Sequence, residues 1–424
     1  MTPRELLLGS FKAAVAAADP RVIVPPHLPA PPKGRTLVVG AGKAAAAMAL
    51  AVEQHWPPQA PLSGTVITRY GHGLPTRRIT VVEAGHPVPD AAGEVAARGI
   101  LAAVRQLTRD DLLLALVSGG GSSLLSLPLD TITMADLKAV TQSLLQCGAT
   151  IQEINTVRKH LSAIQGGRLA AACAADIRAL VISDVTGDDP THIASGPCAP
   201  DPTTHGDALD ILARHRCAAP SAVMQTLQCG ASGALAETPK SGDPVFARTE
   251  NRVIATAQQS LQAAAAFFTA QGIPAVVLGD RVTGEARDIA TLHAALIREI
   301  KTRSLPWPAP VAVISGGECT VTVRGRGRGG RCAEYLLALV RALGGATGVH
   351  ALACDTDGID GSEDNAGAIA GPDTLARAAA LGIDAAARLA DNDGYGFFAA
   401  LDDLVVTGPT RTNVNDYRVV LVNA

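Results

Sequence analysis

The chain has 424 residues, of which 47% are hydrophobic and 18% charged, more than one hydrophobic core serves, so about two globular domains are expected. A net charge of −3 and an aromatic content of 3% argue against a polyanion-binding surface and against stacking platforms for single-stranded nucleic acid. No apolar run approaches the roughly 18 residues of a membrane helix, and the 8 scattered cysteines without C-x-x-C spacing read as free thiols of a reducing, cytoplasmic compartment.

The amino-terminal stretch MTPRELLLGSFKAAVAAADP, broken by Glu5 and Lys12, reads as an amphipathic helix and not as a signal peptide. After a proline-rich connection, Arg35 to Val39 is expected as a strand that turns through GAGK into an alanine-rich helix. GTVIT and RITVVEAG follow as strands, and HPVPD breaks the backbone before the helix AAGEVAARGILAAVRQL. Leu112 to Val117 is a short apolar run suited to a buried parallel strand, and it ends in Ser118, Gly119, Gly120, Gly121 and Ser122. Such an end presents bare backbone amides that attract phosphate or carboxylate. A helical stretch with Asn155, Arg158, Lys159 and His160 comes next; basic residues on a helix are ordinarily solvated, and by themselves they point nowhere.

The strand RALVIS opens into DVTGDDPTHIASGPCAPDPTTHGD, a long loop whose Asp184, Asp188 and Asp189 suit Mg²⁺ binding or proton acceptance, or plain turn chemistry. GASGALAETPKSGDP, from Gly230 to Pro244, has the composition of a domain boundary. A second alternating series then leads to VAVISGGE, an echo of LALVSGGG that would set two glycine-ended strands across one cleft. The loop GRGRGGR reads either as a mobile phosphate clamp or as a solvated hairpin, with only Arg331, at a helix start, assigned to the site. DTDGIDG is an acidic loop whose glycine is out of phase for an EF-hand.

Gly40, Gly42 and Ala45 fit the dinucleotide pattern G-x-G-x-x-A, but the next strand ends at Thr68 and Arg69 without the acidic residue that pattern wants. Lys43, at a helix start beside exposed amides, suits a phosphoryl group better.

In the motifs VVGAGKAAAAMA, HPVPD, LVSGGGSSLL, INTVRKHLSAIQGGRLA, ISDVTGDDPTHIASGPCAPDPTT, ISGGECTVTVRGRGRGG, DTDGIDG and TGPTRTNVND the chain resembles the glycerate 2-kinase family, the class II glycerate kinases with a MOFRL carboxyl domain. The resemblance spans nearly the whole length. It implies ATP-dependent phosphorylation of D-glycerate at the 2-hydroxyl, with Mg²⁺, and catalytic roles for Lys43 and Arg331. The chain has Gln165, Cys332, Ala333 and Arg411 where the family usually carries lysine, asparagine, glutamine and glycine. Some relatives are called hydroxypyruvate reductases, so an NAD(P)H-dependent reductase is the alternative, and a noncatalytic sugar-acid or nucleotide binding module is a third reading.

The expected architecture is α/β: two three-layer domains with mainly parallel sheets, a Rossmann-like larger one over 1–238 that 384–424 would complete and a MOFRL-type smaller one over 239–383, facing an interdomain cleft. The expected catalytic set is Lys43, Arg331, Asp184 and Asp188. The binding set is Ser118, Gly119, Gly120, Gly121, Ser122, Asn155, Gly316, Gly317, Glu318, Asp355, Asp357 and Asn415, with Asp188 and Asp189 on the metal. The expected partner is a small-molecule substrate, with no nucleic acid and no membrane; a homodimer is allowed.

Overall fold

The structure is a computed structural model that describes residues 1–423. The chain divides into two compact units, one of Pro20–Ile254 and one of Met1–Asp19 together with Ala255 onward.

In the first unit the strands are β1 (Thr36–Ala41), β2 (Leu62–Arg69), β3 (Ile79–Ala84), β4 (Leu112–Val117), β5 (Asp176–Ile182) and β6 (Thr249–Ala255). They stand in the order β3-β2-β1-β4-β5-β6, and the pairings β1·β2, β1·β4, β2·β3 and β4·β5 are parallel. Every residue of β1 and β4 is buried, as expected of central strands covered on both faces. The chain leaves β1 outward through β2 and β3, then returns to the other side of β1 as β4. That reversal is a topological switch point, the place where open α/β sheets bind ligands beyond the carboxyl ends of their strands. A helical cluster packs beside it, formed by Met134–Gln146, Ile151–His160, His205–Arg214 and Ser221–Ala231 around Leu137, Val157, Leu161, Ile211 and Leu227.

The second unit adds β7 (Ala275–Val277), the short pair β8 (Gly284–Glu285) and β10 (Cys319–Thr320), and β9 (Val311–Gly317), β11 (Val349–Asp355), β12 (Gly367–Ala370), β13 (Leu404–Val405) and β14 (Asp416–Val422). Its sheet has the order β13-β12-β11-β14-β9-β7. Only β7·β9 is parallel; β11·β12, β11·β14, β12·β13 and β14·β9 are antiparallel. The expectation of mainly parallel sheets therefore holds for the first sheet and is corrected for the second.

The expected boundaries at 238 and 383 differ from the observed division as well. β14, buried at every position, does not return to the first sheet but fills the centre of the second. The helix Pro3–Ala16 belongs there too. Its Leu7, Phe11 and Ala14, spaced for one helical face, pack with Leu261, Phe268, Leu352, Tyr417 and Val419. The Tyr417 hydroxyl donates to Ser10 Oγ at 2.8 Å, and Thr412 Oγ1 donates to the Ala18 carbonyl at 2.7 Å. The opposite face of the sheet is covered by the helices Ala286–Arg303 and Arg331–Leu343, which completes three layers.

Candidate active site

At the switch point the turns after β1 and β4 are fastened to each other. The Lys43 amide donates to the Gly119 carbonyl at 2.8 Å, and the Ala44 amide donates to Ser118 Oγ at 3.1 Å. Gly42 lies so close to β4 that a Cβ there would fall 2.1 Å from Ser118 Oγ. The turn that resembled a dinucleotide fingerprint thus spends two of its amides on Ser118 and Gly119, leaving them unable to hold a pyrophosphate.

Beyond β4 the amides point elsewhere. Gly120 has φ +81°, and a Cβ on it would lie 2.9 Å from His86 Nε2 and 3.4 Å from Lys43 Cγ, so glycine is needed for both conformation and space. The amides of Gly119 and Gly120 donate to no acceptor among the described residues. Above them the His86 imidazole is held at a pKa of about 3, by burial first and then by Lys43, Arg69, His72 and Arg158. Ser122 Oγ lies 2.8 Å from Ser195 Oγ, and the Ser122 carbonyl accepts from Arg158 Nη2 and from Gln165 Nε2.

Arg158 decides the character of this pocket. It is 8% exposed and forms no ion pair with a carboxylate among the described residues, and burial lowers its pKa to about 10. An unpaired guanidinium in such a place is costly unless an anion neutralises it. Asn155, one helical turn earlier, is 6% exposed and its Oδ1 has no partner. The helix carrying both is fixed by a capping box between Thr150 and Glu153. Lys159 and His160 are fully buried, so the expectation of a solvated basic face is overturned. Tertiary packing encloses the helix among apolar neighbours such as Leu137 and Leu227, and Lys159 is matched by Asp201 at 3.0 Å.

Asp184 follows β5 and is partly buried, while Asp188 and Asp189 sit farther along the loop. Asp188 has φ 55°, and Asp189 Oδ1 accepts from the Thr191 amide at 2.9 Å, which is turn chemistry. Among the described residues the side chains that group as potential metal ligands are His160, His205 and Glu237, so no such grouping includes Asp188 or Asp189.

In the second unit, register brings carboxylates together. Asp355, ending β11, pairs with Asp416, which pairs with Gly317 at the end of β9 beside Glu318. Arg331, the first residue of its helix, crosses all three: Nε to Asp416 Oδ1 at 2.7 Å, Nη1 to Glu318 Oε1 at 2.6 Å and Nη2 to Asp355 Oδ2 at 2.9 Å. Its pKa is raised despite burial, because Asp416, Asp355 and Glu318 favour the charged form. The helix start is closed by Asp360, which accepts from the Cys332 and Ala333 amides at 2.9 and 2.8 Å; burial nonetheless lifts its carboxyl to about 7.

Asp357 is buried and accepts from the Ile359 amide through Oδ1 at 2.8 Å, and Asn415 adopts φ 66° with its carbonyl accepting from Thr356 Oγ1 at 2.7 Å. Gly316 and Gly317 do not form a second open amide end. The Gly316 amide donates to the Gly279 carbonyl at 2.8 Å, and the Gly316 carbonyl accepts from Arg418 Nη2 at 2.8 Å. The loop GRGRGGR is not a free clamp either. The amides of Arg324 and Gly325 donate to Asn392 Oδ1, that of Arg326 to Asp391 Oδ1 and that of Arg328 to Asp393 Oδ1.

Residues 6–228 match the family described as Domain of unknown function (DUF4147), and residues 311–416 match the MOFRL family. The D-glycerate 2-kinase of Thermotoga maritima is 37% identical over 421 residues, covering 99% of this chain and 98% of that protein. A crystal structure of glycerate kinase from Thermotoga maritima has a TM-score of 0.87 at 37% identity, covering 99% of each chain. The chain belongs to the glycerate kinase family. A protein of Agrobacterium vitis named putative hydroxypyruvate reductase is also similar, 50% identical over 425 residues, covering 100% of this chain and 95% of that protein.

Against this family background, Lys43 stands in the first unit and Arg331 in the second. The sequence singles out both as candidates and passes over Arg158 and His86. Arg158 carried a usable signal, since Ile154, Val157 and Leu161 mark an apolar stripe and Arg158 directly follows one of its members. His86 carried none beyond its place after a strand.

Proposed function

We propose that the chain is a glycerate 2-kinase, transferring the γ-phosphoryl group of ATP to the 2-hydroxyl of D-glycerate to give 2-phosphoglycerate and ADP. The observation that carries this reading is the buried Arg158 guanidinium, unmatched by any carboxylate among the described residues and grouped with Lys43 and a neutral His86 over the Gly119 and Gly120 amides. A carboxylate or phosphate satisfies all of them at once. Anchoring the glycerate carboxylate there presents the adjacent 2-hydroxyl before the 3-hydroxyl, with Asn155 as its hydrogen-bond partner and Asp184 or Asp188 to orient it.

Phosphoryl transfer depends on positioning and on stabilising charge at the equatorial oxygens. Lys43 supplies that beside the Gly119 and Gly120 amides. Arg331 keeps two N–H donors beyond its three carboxylate bonds and is a second candidate for the same role. Glu318, Asp355 and Asp416 are shared by two arginines, Arg331 and Arg418, whose Nη1 lies 3.6 Å from Asp416 Oδ2. Hard cations take carboxylate oxygens of this kind, and Mg²⁺ held there would offset charge on the nucleotide phosphates.

The reductase reading finds no support in the turn after β1, whose amides are committed to Ser118 and Gly119. The test is a product assay with ATP and D-glycerate coupled through enolase and pyruvate kinase. Pyruvate formed without phosphoglycerate mutase is the expected result. Pyruvate only after mutase is added means the 3-isomer, and NADPH oxidation by hydroxypyruvate in a separate assay, with no pyruvate in the first, overturns the proposal.

A further inference from the structure

A second cluster, behind the helix Ile151–His160, takes no part in the chemistry above. His160 Nδ1 lies 2.8 Å from the Thr156 carbonyl, which fixes a proton on that nitrogen. Its Nε2 then turns a lone pair toward the Thr203 carbonyl at 3.2 Å, Glu237 Oε1 at 3.1 Å and Asp201 Oδ2 at 3.7 Å, with the Thr238 hydroxyl at the outer limit of hydrogen bonding, 3.5 Å. His205 Nδ1 approaches the same Glu237 Oε1 at 2.9 Å without hydrogen-bond alignment, and Asp201 Oδ2 is also left without a partner. Both imidazoles are fully buried and Asp201 is 1% exposed. The His205 ring is admitted by Gly230, where a Cβ would fall 2.2 Å from it. Converging lone pairs need a positive centre among them.

We propose that His160, His205 and Glu237, with Asp201 as fourth donor, form a binding site for a divalent transition ion of the zinc class. The donor atoms of His160, His205 and Glu237 lie within 4.8 Å of one another, a spread that small movements close to tetrahedral coordination with two nitrogens and two oxygens. The Nδ1 contact to Thr156 orients the ring, as the outer partner of a ligating histidine does. Glu237, with a side chain 33% exposed, gives the ion its way in.

Three cations face the cluster. Lys159 is paired through the other Asp201 oxygen, Oδ1, and leaves Oδ2 available. Arg168 acts on Glu237 and Asp201 from a distance. Lys240 Nζ, 32% exposed, stands 3.7 Å from Glu237 Oε1 and donates to Thr203 and Thr238, and it turns to solvent as the ion enters. The ion ties the helices Ile151–His160 and His205–Arg214 to the segment at Glu237, and so steadies the helix that carries Arg158.

The test uses the full chain, stripped with a chelator and titrated with Zn²⁺ by calorimetry, with Co²⁺ as a spectroscopic probe. One equivalent of Zn²⁺ per chain is expected, with visible Co²⁺ absorption of a low-coordinate nitrogen and oxygen site. Affinity should fall at least tenfold in His205→Ala, recover in His205→Cys, and persist in Lys43→Ala, so the outcome is separable from the kinase reading. Lys240→Met, which keeps all four donors, should bind more tightly than wild type. Binding no stronger in wild type than in His205→Ala, with Lys240→Met unchanged, overturns the proposal. So does nitrogen NMR that finds His160 doubly protonated in a wild-type chain that takes up no zinc.

Discussion

Arg158 and Lys43 are both cations of the proposed anion site, yet they should fail differently when changed. Arg158 offers a planar fork in a buried place, and Arg158→Lys keeps the charge but loses that geometry. We expect the KM for D-glycerate to rise by about tenfold or more, with the KM for ATP little changed in steady-state kinetics. Lys43→Ala removes charge stabilisation at the transferred group, and kcat should fall by roughly 10²-fold or more while circular dichroism stays native. A kcat within a factor of about two of wild type would remove Lys43 from the chemistry.

His86 gives a pH signature with a definite sign. Its folded pKa, about 3, lies below the ordinary histidine value of 6.5, so the unfolded chain takes up a proton that the folded chain refuses. Stability contributed by neutral His86 is present above about 6.5 and is lost as pH falls toward 3. Relative to wild type, His86→Gln should therefore become progressively more stable in urea titrations as pH falls from about 6.5 to 4.

At the scale of elements, the two helices that carry Arg158 and Arg331 are held by opposite devices. The helix Ile151–His160 starts with its own capping box, and Thr150→Ala should cost about 1 kcal/mol, seen as faster amide exchange across its first turn. The helix Arg331–Leu343 instead borrows Asp360 from the DTDGID loop, and its first side chain holds three carboxylates that would otherwise repel one another. Arg331→Gln takes this cation from Glu318 and Asp355 and leaves Asp416 with Arg418 alone. That variant should melt earlier than wild type and gain more from added Mg²⁺ or Ca²⁺ in a thermal-shift measurement.

Element boundaries explain what the sequence could and could not disclose. β1 and β4 were legible because both are uninterrupted apolar runs ending in glycine. The parallel order of the first sheet followed from strands alternating with helices. The antiparallel second sheet was not legible, because β14 is as apolar as a parallel core strand and nothing local states which neighbours it takes. The glycines of GRGRGGR suggested mobility, whereas Gly325 and Gly327 are small so that Asp391 and Asp393 can lie against them. Lys43 and Arg331 were visible as cations at helix starts. The burial of Arg158 and the pairing of Lys159 with Asp201, 42 positions away, are properties of tertiary packing and lie outside any local pattern.

For the whole molecule, the helix Pro3–Ala16 is the least expected component of its unit. Phe11 is 2% exposed and stacks on Tyr417 with ring centroids 6.0 Å apart, so Phe11→Ala should cost about 3–5 kcal/mol. Hydrogen exchange is the fitting measurement: amides of β11 and β14 should lose protection, and those of β1 and β4 should keep theirs. No helix is long and apolar enough to cross a membrane among the described residues, and all 8 cysteines are unpaired.

The bond from Tyr417 to Ser10 joins residues 407 positions apart. A ribosome adding about 5–20 residues per second needs roughly 20–80 s to cover that interval, and until its end the nascent amino-terminal helix has only part of its native surface, that of Leu261 and Phe268, to cover. The sheet that will receive it is also missing its middle strand until β14 emerges. The Pro20–Ile254 unit has all its strands long before then, so it can mature on the growing chain while its neighbour waits for synthesis to pass residue 422. During that wait Leu7 and Phe11 are exposed, and they are the natural target for a chaperone that shields apolar segments.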